Sequence, residues 1–261
     1  MPTAFFRCLA SERLKLRRSL ASWLILAGGL FVPVIVLAAR LRRPSALPAL
    51  YRSPDFWEKH WTQSWESMSI LILPMMVILI AALVAQLEYR NNTWKQVHTS
   101  PQPLATIFLA KLMMILVMLV QLFVVLNVGV FLSGALPALL VKNSAAFAPP
   151  IPYALFAKRN LHFFIDCLPV VALQYLLSLQ FKNFMVPVGV GLALWIGSIG
   201  FLNTSFNYAF PYALTGVDFL IDGKYRTATY LPVNVQSIAV ASFVAVSLVS
   251  YVLYATKKER G

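Results

Sequence analysis

The chain has 261 residues, of which 59% are hydrophobic and 12% charged, with a mean hydropathy of +0.73. That balance excludes a water-solvated globular enzyme. The formal charge of +13 does not signal nucleic acid, because Lys and Arg sit in short segments flanking apolar runs, where anionic lipid headgroups are the simpler partner.

Residues 1–19 form a basic arm. Phe5, Leu9, Leu16 and Leu20 fall roughly along one side, and Arg7, Arg13, Lys15, Arg17 and Arg18 add cationic charge. An interfacial helix that meets the first span at an elbow has this composition. The arm is too long, and the apolar run behind it too full, for a cleavable signal, so the first span is expected to stay as an anchor.

Six stretches then have the length and apolarity to cross a bilayer as helices, the form that satisfies its own backbone where there is no water. They are Leu20–Ala39, Ser67–Leu87, Lys111–Leu132, Leu161–Leu179, Phe184–Leu202 and Val235–Tyr254. Together they make residues 20–256 one all-α integral membrane domain, followed by a short cytoplasmic tail, 257–261. Pro33, Pro74, Pro169 and Pro187 are expected to bend the helices that hold them. Gln121, Asn127, Gln174 and Gln180 are explained by interhelical hydrogen bonds of about 1 kcal/mol each.

An even number of spans puts both termini on one side, and the basic arm with Lys257, Lys258 and Arg260 assigns that side to the cytoplasm. The assignment places 12 of the 22 Lys and Arg inside and 10 outside, with Arg40, Arg42 and Arg43 working against it. The first outer loop carries Trp57, Trp61 and Trp65 at fourfold spacing, one helical face of indoles that suits the headgroup belt. Pro149, Pro150 and Pro152 predict an extended approach to the fourth span. The third outer loop, with Asn203, Asn207, Pro211, Gly216, Asp218, Asp222 and Gly223, reads as turns and short amphipathic pieces.

Candidate chemistry is sparse. No GxxxxGK[ST] loop occurs, since Gly223-Lys224 is followed by Tyr225, so the chain has no phosphate cradle of that type. Asp166 is the one acid inside a span. His162 lies four residues earlier on the same face, and the two are expected to form an ion pair near the outer end of the span, within reach of water. His60, His98 and His162 stand on three different segments, and no metal-ligand spacing, catalytic triad or HExxH is present. Cys8 in the arm and Cys167 in a span have no route to a disulfide.

Three segments carry a family resemblance over nearly the whole chain. They are Glu12-Arg13-Leu14-Lys15-Leu16-Arg17-Arg18-Ser19, then Glu88 to Gln96 with Pro101 to Lys111, and Leu173 to Phe184 with its tight basic turn. In these the sequence resembles permeases of exporter-class ATP-binding-cassette transporters, particularly those grouped with lantibiotic and bacteriocin immunity. The resemblance implies a half-transporter in the bacterial inner membrane, pairing with a second permease copy or homologue and with separate nucleotide-binding ATPase subunits. ATP and Mg would be used by those partners and no cofactor bound by this chain.

By the same resemblance, Glu88 to Gln96 is the coupling helix that docks on the ATPase. Tyr89 and Trp94 would be packing anchors, Glu88, Arg90 and Lys95 polar contacts with Asn91 and Thr93 on the same segment, and Lys182 and Asn183 a second, smaller contact. Arg13, Lys15, Arg17 and Arg18 would be elbow and lipid contacts. A largely apolar interior favours an amphipathic or lipophilic cargo, such as a peptide antibiotic or a lipid. Two other readings compete: an ATP-independent carrier or channel, which calls for more inward-facing ionisable groups, and a membrane-embedded lipid-modifying enzyme, which calls for acids or histidines converging at one headgroup level.

Overall fold

Every regular element among the described residues is helical. The computed structural model describes residues 2–17, 19–90, 102–140, 150–202, 204, 206–222 and 234–256. In chain order the helices are α1 Pro2–Leu16, α2 Leu20–Leu41, α3 Leu47–Tyr51, α4 Phe56–Ser67, α5 Leu73–Arg90, α6 Leu104–Leu140, α7 Tyr153–Gln180, α8 Met185–Phe201, α9 Leu214–Asp222 and α10 Val235–Thr256. A π-helical turn, Met68–Ile72, joins α4 to α5, and short 3-10 turns at Asn207–Ala209 and Pro211–Ala213 precede α9.

Among the described residues, five helical stretches are long and apolar enough to cross a membrane: Leu20–Leu41, Phe56–Leu87, Leu104–Leu139, Tyr153–Gln180 and Val235–Thr256. The expected fifth span corresponds to α8, an apolar helix of 17 residues. The expected third and fourth spans are parts of longer helices. Each of these begins directly after a proline, Pro103 or Pro152, which lacks an N–H for the helical ladder and disfavours helix in the residue before it. Lys111 and the pair Lys158 and Arg159, which look like helix boundaries by polarity, lie inside these helices.

Close packing of α2 on α6 relies on glycine. A Cβ on Gly29 would stand 2.8 Å from Val125 Cγ1, and one on Gly129 would stand 2.8 Å from Pro33 Cγ. Such small residues let two apolar helices approach where lipid supplies no hydrophobic drive. The polar ends of the same contact are tied as well, because Arg40 near the end of α2 donates to the Ser133 carbonyl of α6 at 3.3 Å.

Pro74 explains the π turn and what surrounds it. Within that turn Leu73 N–H bonds back to the Met68 carbonyl. The next donor in the π register would be Pro74, which has none, so the Ser69 carbonyl loses its partner. Thr215 Oγ1 of α9 donates to Ser69 O at 2.7 Å, and Trp195 Nε1 of α8 donates to Ile70 O at 3.1 Å.

The described stretch 206–222 between α8 and α10, expected as turns outside the membrane, packs into the bundle. Its turns and short helix are as expected, but Tyr212, Leu214 and Val217 are buried. Tyr212 also donates to Gln174 Oε1 of α7 at 3.2 Å.

The tryptophan stripe is a second correction. Trp57, Trp61 and Trp65 are 3%, 2% and 0% exposed, so they form the core and not a headgroup belt. Trp65 stacks on Phe163 at 4.4 Å, Trp61 on Phe156 at 5.5 Å and Trp57 on Phe131 at 5.6 Å. The fourfold spacing did put three indoles on one face, but α4 runs directly into α5 and that face meets α6 and α7.

Removing the Thr215 hydroxyl should leave the Ser69 carbonyl unpaired, and removing the Trp195 indole N–H takes away the side-chain bond to Ile70 O. Trp195→Phe and Thr215→Val are each expected to cost about 1–3 kcal/mol, read as a lowered thermal midpoint of the purified chain in mild detergent. Thr256→Val, at the exposed end of α10, should leave the midpoint nearly unchanged.

Candidate functional site

Among the described residues, the expected elbow and coupling positions lie at one end of the bundle, and an aromatic cleft lies at the other. At one end lie α1, the end of α5, the start of α6, the turn between α7 and α8, and the end of α10. Glu12 of α1 is the centre of that end. Its carboxylate takes Lys111 Nζ of α6 at 3.2 Å and Lys15 Nζ at 2.6 Å, and Glu12 and Lys111 are each only 3% exposed.

Burial pushes the Glu12 pKa upward, but the ammonium groups of Lys111 and then Lys15 outweigh it and hold the carboxyl below its ordinary value of 4.5. A depressed carboxylate contributes stability above the unfolded pKa and loses it as pH falls through the folded one. One turn before Glu12, Cys8 packs against Ile107 and Ala110, so α1 is docked along the first turns of α6.

Lys15 is engaged in the ion pair while staying exposed, as Arg13 and Arg17 are. Arg18 lies outside the described residues. Of the expected coupling segment, Glu88, Tyr89 and Arg90 end α5, while Asn91, Thr93, Trp94 and Lys95 lie outside the described residues.

Lys182 and Asn183 are exposed in the turn between α7 and α8, where Asn183 Oδ1 accepts from Met185 N at 2.9 Å. Gln86, one turn before the end of α5, donates to Ser178 O at 3.1 Å and to Phe181 O. This bond holds the turn carrying Lys182 and Asn183 beside the helix that leads into the coupling segment. The sequence marked Gln86 only as an apolar-span residue, and its role needed the fold to emerge.

The opposite end holds a cleft of about 510 Å³ between α4, α6 and α7. Trp57, Trp61, Phe131 and Phe156 form its apolar wall, and Tyr153 stands at the rim with 71% exposure. Asn127 and Asn160 supply the polar part, each donating to the other's carbonyl oxygen, at 2.7 and 3.1 Å. Arg159 lies over the Trp61 ring at 5.3 Å and bonds Glu58 at 3.3 Å. The indole N–H groups of Trp57, Trp61 and Trp65 find no acceptor among the described residues.

Behind this cleft, Arg40 donates to His60 Nδ1 at 2.8 Å, and His60 Nε2 faces the Val130 carbonyl at 2.8 Å. Since a guanidinium only donates, Nδ1 is the acceptor and Nε2 carries the proton. Tyr51 closes the cluster by donating to Gly134 O at 2.9 Å, and burial raises the Tyr51 pKa.

The expected pair of His162 and Asp166 does not form. Asp166 is fully buried and turns to Gln236 of α10, whose Nε2 is 3.5 Å from both carboxylate oxygens, and to Asp218 of α9. The helix starts at Tyr153, eight residues earlier than apolarity alone indicated, so Asp166 lies about 20 Å along it and not at its outer end. Gln236 also donates to Asp218 at 3.1 Å. No group of three or more His, Cys, Asp or Glu among the described residues is placed to hold a metal, and Cys8 and Cys167, both buried, are not joined in a disulfide.

With this geometry established, the comparisons with known proteins are specific on one point. The family profile described as ABC-2 family transporter protein matches residues 8–198, a span that runs from α1 to the last turn of α8. No curated protein matches the chain.

The docking of α1 can be tested through Cys8. In a Cys167→Ala background, Glu12→Gln should raise the maleimide-labelling rate of Cys8 at least several-fold, because a buried ion pair that loses one partner costs about 3–5 kcal/mol. Cys8 should stay protected in the native chain. The gap in thermal midpoint between the native chain and Glu12→Gln should hold from pH 8 down to about 5 and close only below the ordinary carboxylate range.

Proposed function

Because the chain belongs to the ABC-2 family of transporter proteins, we propose that it is the membrane permease subunit of an ATP-binding-cassette exporter. Separate ATPase subunits bind and hydrolyse ATP with Mg. The chain works beside a second permease copy or homologue, in the bacterial inner membrane with both termini cytoplasmic. The observation that carries this reading is the family match over residues 8–198.

In this reading α8 is the fifth of six crossings, since 17 residues give about 25 Å of helix, and α1 is the elbow. Residues 88–96 are the coupling helix, with Tyr89 and Trp94 packing into the ATPase and Glu88, Arg90 and Lys95 making polar contacts. Lys182 and Asn183 add a smaller contact from the neighbouring turn, which Gln86 ties to α5.

Closure of the ATPase pair pushes the segment between α5 and α6. The ion pair of Glu12 with Lys111 carries that push into α1, so the arm and the third span move together. On α8, Gly189, Ala193 and Gly197 form an exposed small-residue stripe, with nothing within 4 Å of either glycine; close helix packing against the second permease suits it.

The cargo in this reading is amphipathic or lipophilic. Support comes from the aromatic cleft at the end away from the ATPase face, which offers an apolar wall with a small set of polar groups. An ATP-independent carrier is less well supported, since the buried acid Asp166 is engaged with Asp218 and Gln236.

The double substitution Arg90→Ala with Trp94→Ala tests the coupling role. It should abolish permease-stimulated ATP hydrolysis in the reconstituted complex while the amount of chain in the membrane stays at the native level. Stimulation that persists at native strength in that variant would remove residues 88–96 from the mechanism.

A further inference from the structure

A second cleft, of about 710 Å³, opens between α1, α2 and α6. We propose that it is a binding site for one anionic glycerophospholipid of the cytoplasmic leaflet. The inference rests on the reading above only in placing α1 at the membrane surface, and it does not depend on any ATPase.

The mouth of the cleft is cationic. Arg13 and Arg17 stand one helical turn apart, linked by the Arg17 N–H to Arg13 carbonyl bond of 3.1 Å. Both are exposed and neither meets a carboxylate among the described residues. Glu12, the acid nearest to them in sequence, is committed to Lys15 and Lys111. Two guanidiniums on one edge offer a fork of donors for a phosphate.

The inside of the cleft is apolar, lined by Leu16, Met114 and Met118, and methionine adapts to the irregular shape of a hydrocarbon chain.

Gln121 adds an observation that points to a ligand. It lies seven residues beyond Met114 on α6, about 10 Å further along the helix, on the cleft wall. Its carboxamide is exposed and has no hydrogen-bond partner among the described residues, unlike Asn127 and Gln174, which are bonded within the bundle. An unpaired carboxamide facing hydrocarbon costs free energy. Helical side chains lean toward the N-terminus, which brings this amide back toward the mouth.

A phosphate at Arg13 and Arg17, with ester carbonyls below it accepting from Gln121 and an acyl chain along Met114 and Met118, satisfies all three features together. A zwitterionic lipid would fit the lower two but would gain less at the mouth, where each cation near an anionic headgroup contributes on the order of 1 kcal/mol.

Native mass spectrometry of the full-length chain in mild detergent, titrated with phosphatidylglycerol or phosphatidylcholine, reads the site directly. The native chain should retain one phosphatidylglycerol at about tenfold lower lipid concentration than phosphatidylcholine. Arg13→Gln with Arg17→Gln should erase that preference. Gln121→Leu should weaken retention of both lipids several-fold and keep the preference.

Arg42→Gln with Arg43→Gln, exposed at the other end of α2, should behave as the native chain. The proposal is overturned if the two lipids are retained equally by the native chain, if the preference survives the Arg13 and Arg17 substitutions, or if Gln121→Leu leaves retention unchanged. None of these outcomes bears on whether an ATPase binds.

Discussion

The ion pair between Glu12 and Lys111 is the constraint on which the arrangement of the N-terminal arm depends. A basic amphipathic helix has many places to lie on an anionic membrane, and electrostatics with headgroups would leave its position along the bundle open. A carboxylate buried against a lysine of the third span does not. Each charge would be costly alone at 3% exposure, so the pair holds α1 to one register along α6. Lys15 joins the pair from the exposed side, and Arg13 and Arg17 stay exposed beside a cleft.

A parallel logic operates inside the membrane. The Ser69 carbonyl released by Pro74 has no water to turn to, so the Thr215 side chain of α9 must reach it. This requirement holds α9 in the bundle and sets Asp218 near Asp166. Proline is usually read as a kink. Here it also specifies a neighbouring donor that must be present, Thr215, and so contributes to the choice of fold.

Much of the architecture was legible in the sequence. The bounds of the first and last spans follow from uninterrupted apolar runs, whereas α7 starts at Tyr153, directly after Pro152, and not at Leu161, where apolarity put the span. What was not legible is physically instructive. Charge inside a long helix does not end it, so Lys111 and Arg159 looked like boundaries when they were partners of Glu12 and Glu58.

The indole stripe at Trp57, Trp61 and Trp65 obeys the helical period equally well whether it faces headgroups or core, and only the course of α4 into α5 decides between them. Asp166 was found as the unusual residue, but its partners Asp218 and Gln236 are 52 and 70 residues away in sequence and leave no local signal. Lys182 and Asn183 stay exposed at the same end as the close of α5. Trp94 and its neighbours lie outside the described residues.

The account stands or falls on a separate ATPase acting through this chain. Co-purification of the tagged full-length chain in mild detergent, with mass spectrometry of what stays bound, measures that partnership most directly. The account predicts an ATPase subunit recovered in equal molar amount with the permease. A chain that purifies alone, stable and without an ATPase, would contradict it and favour a carrier or a membrane enzyme.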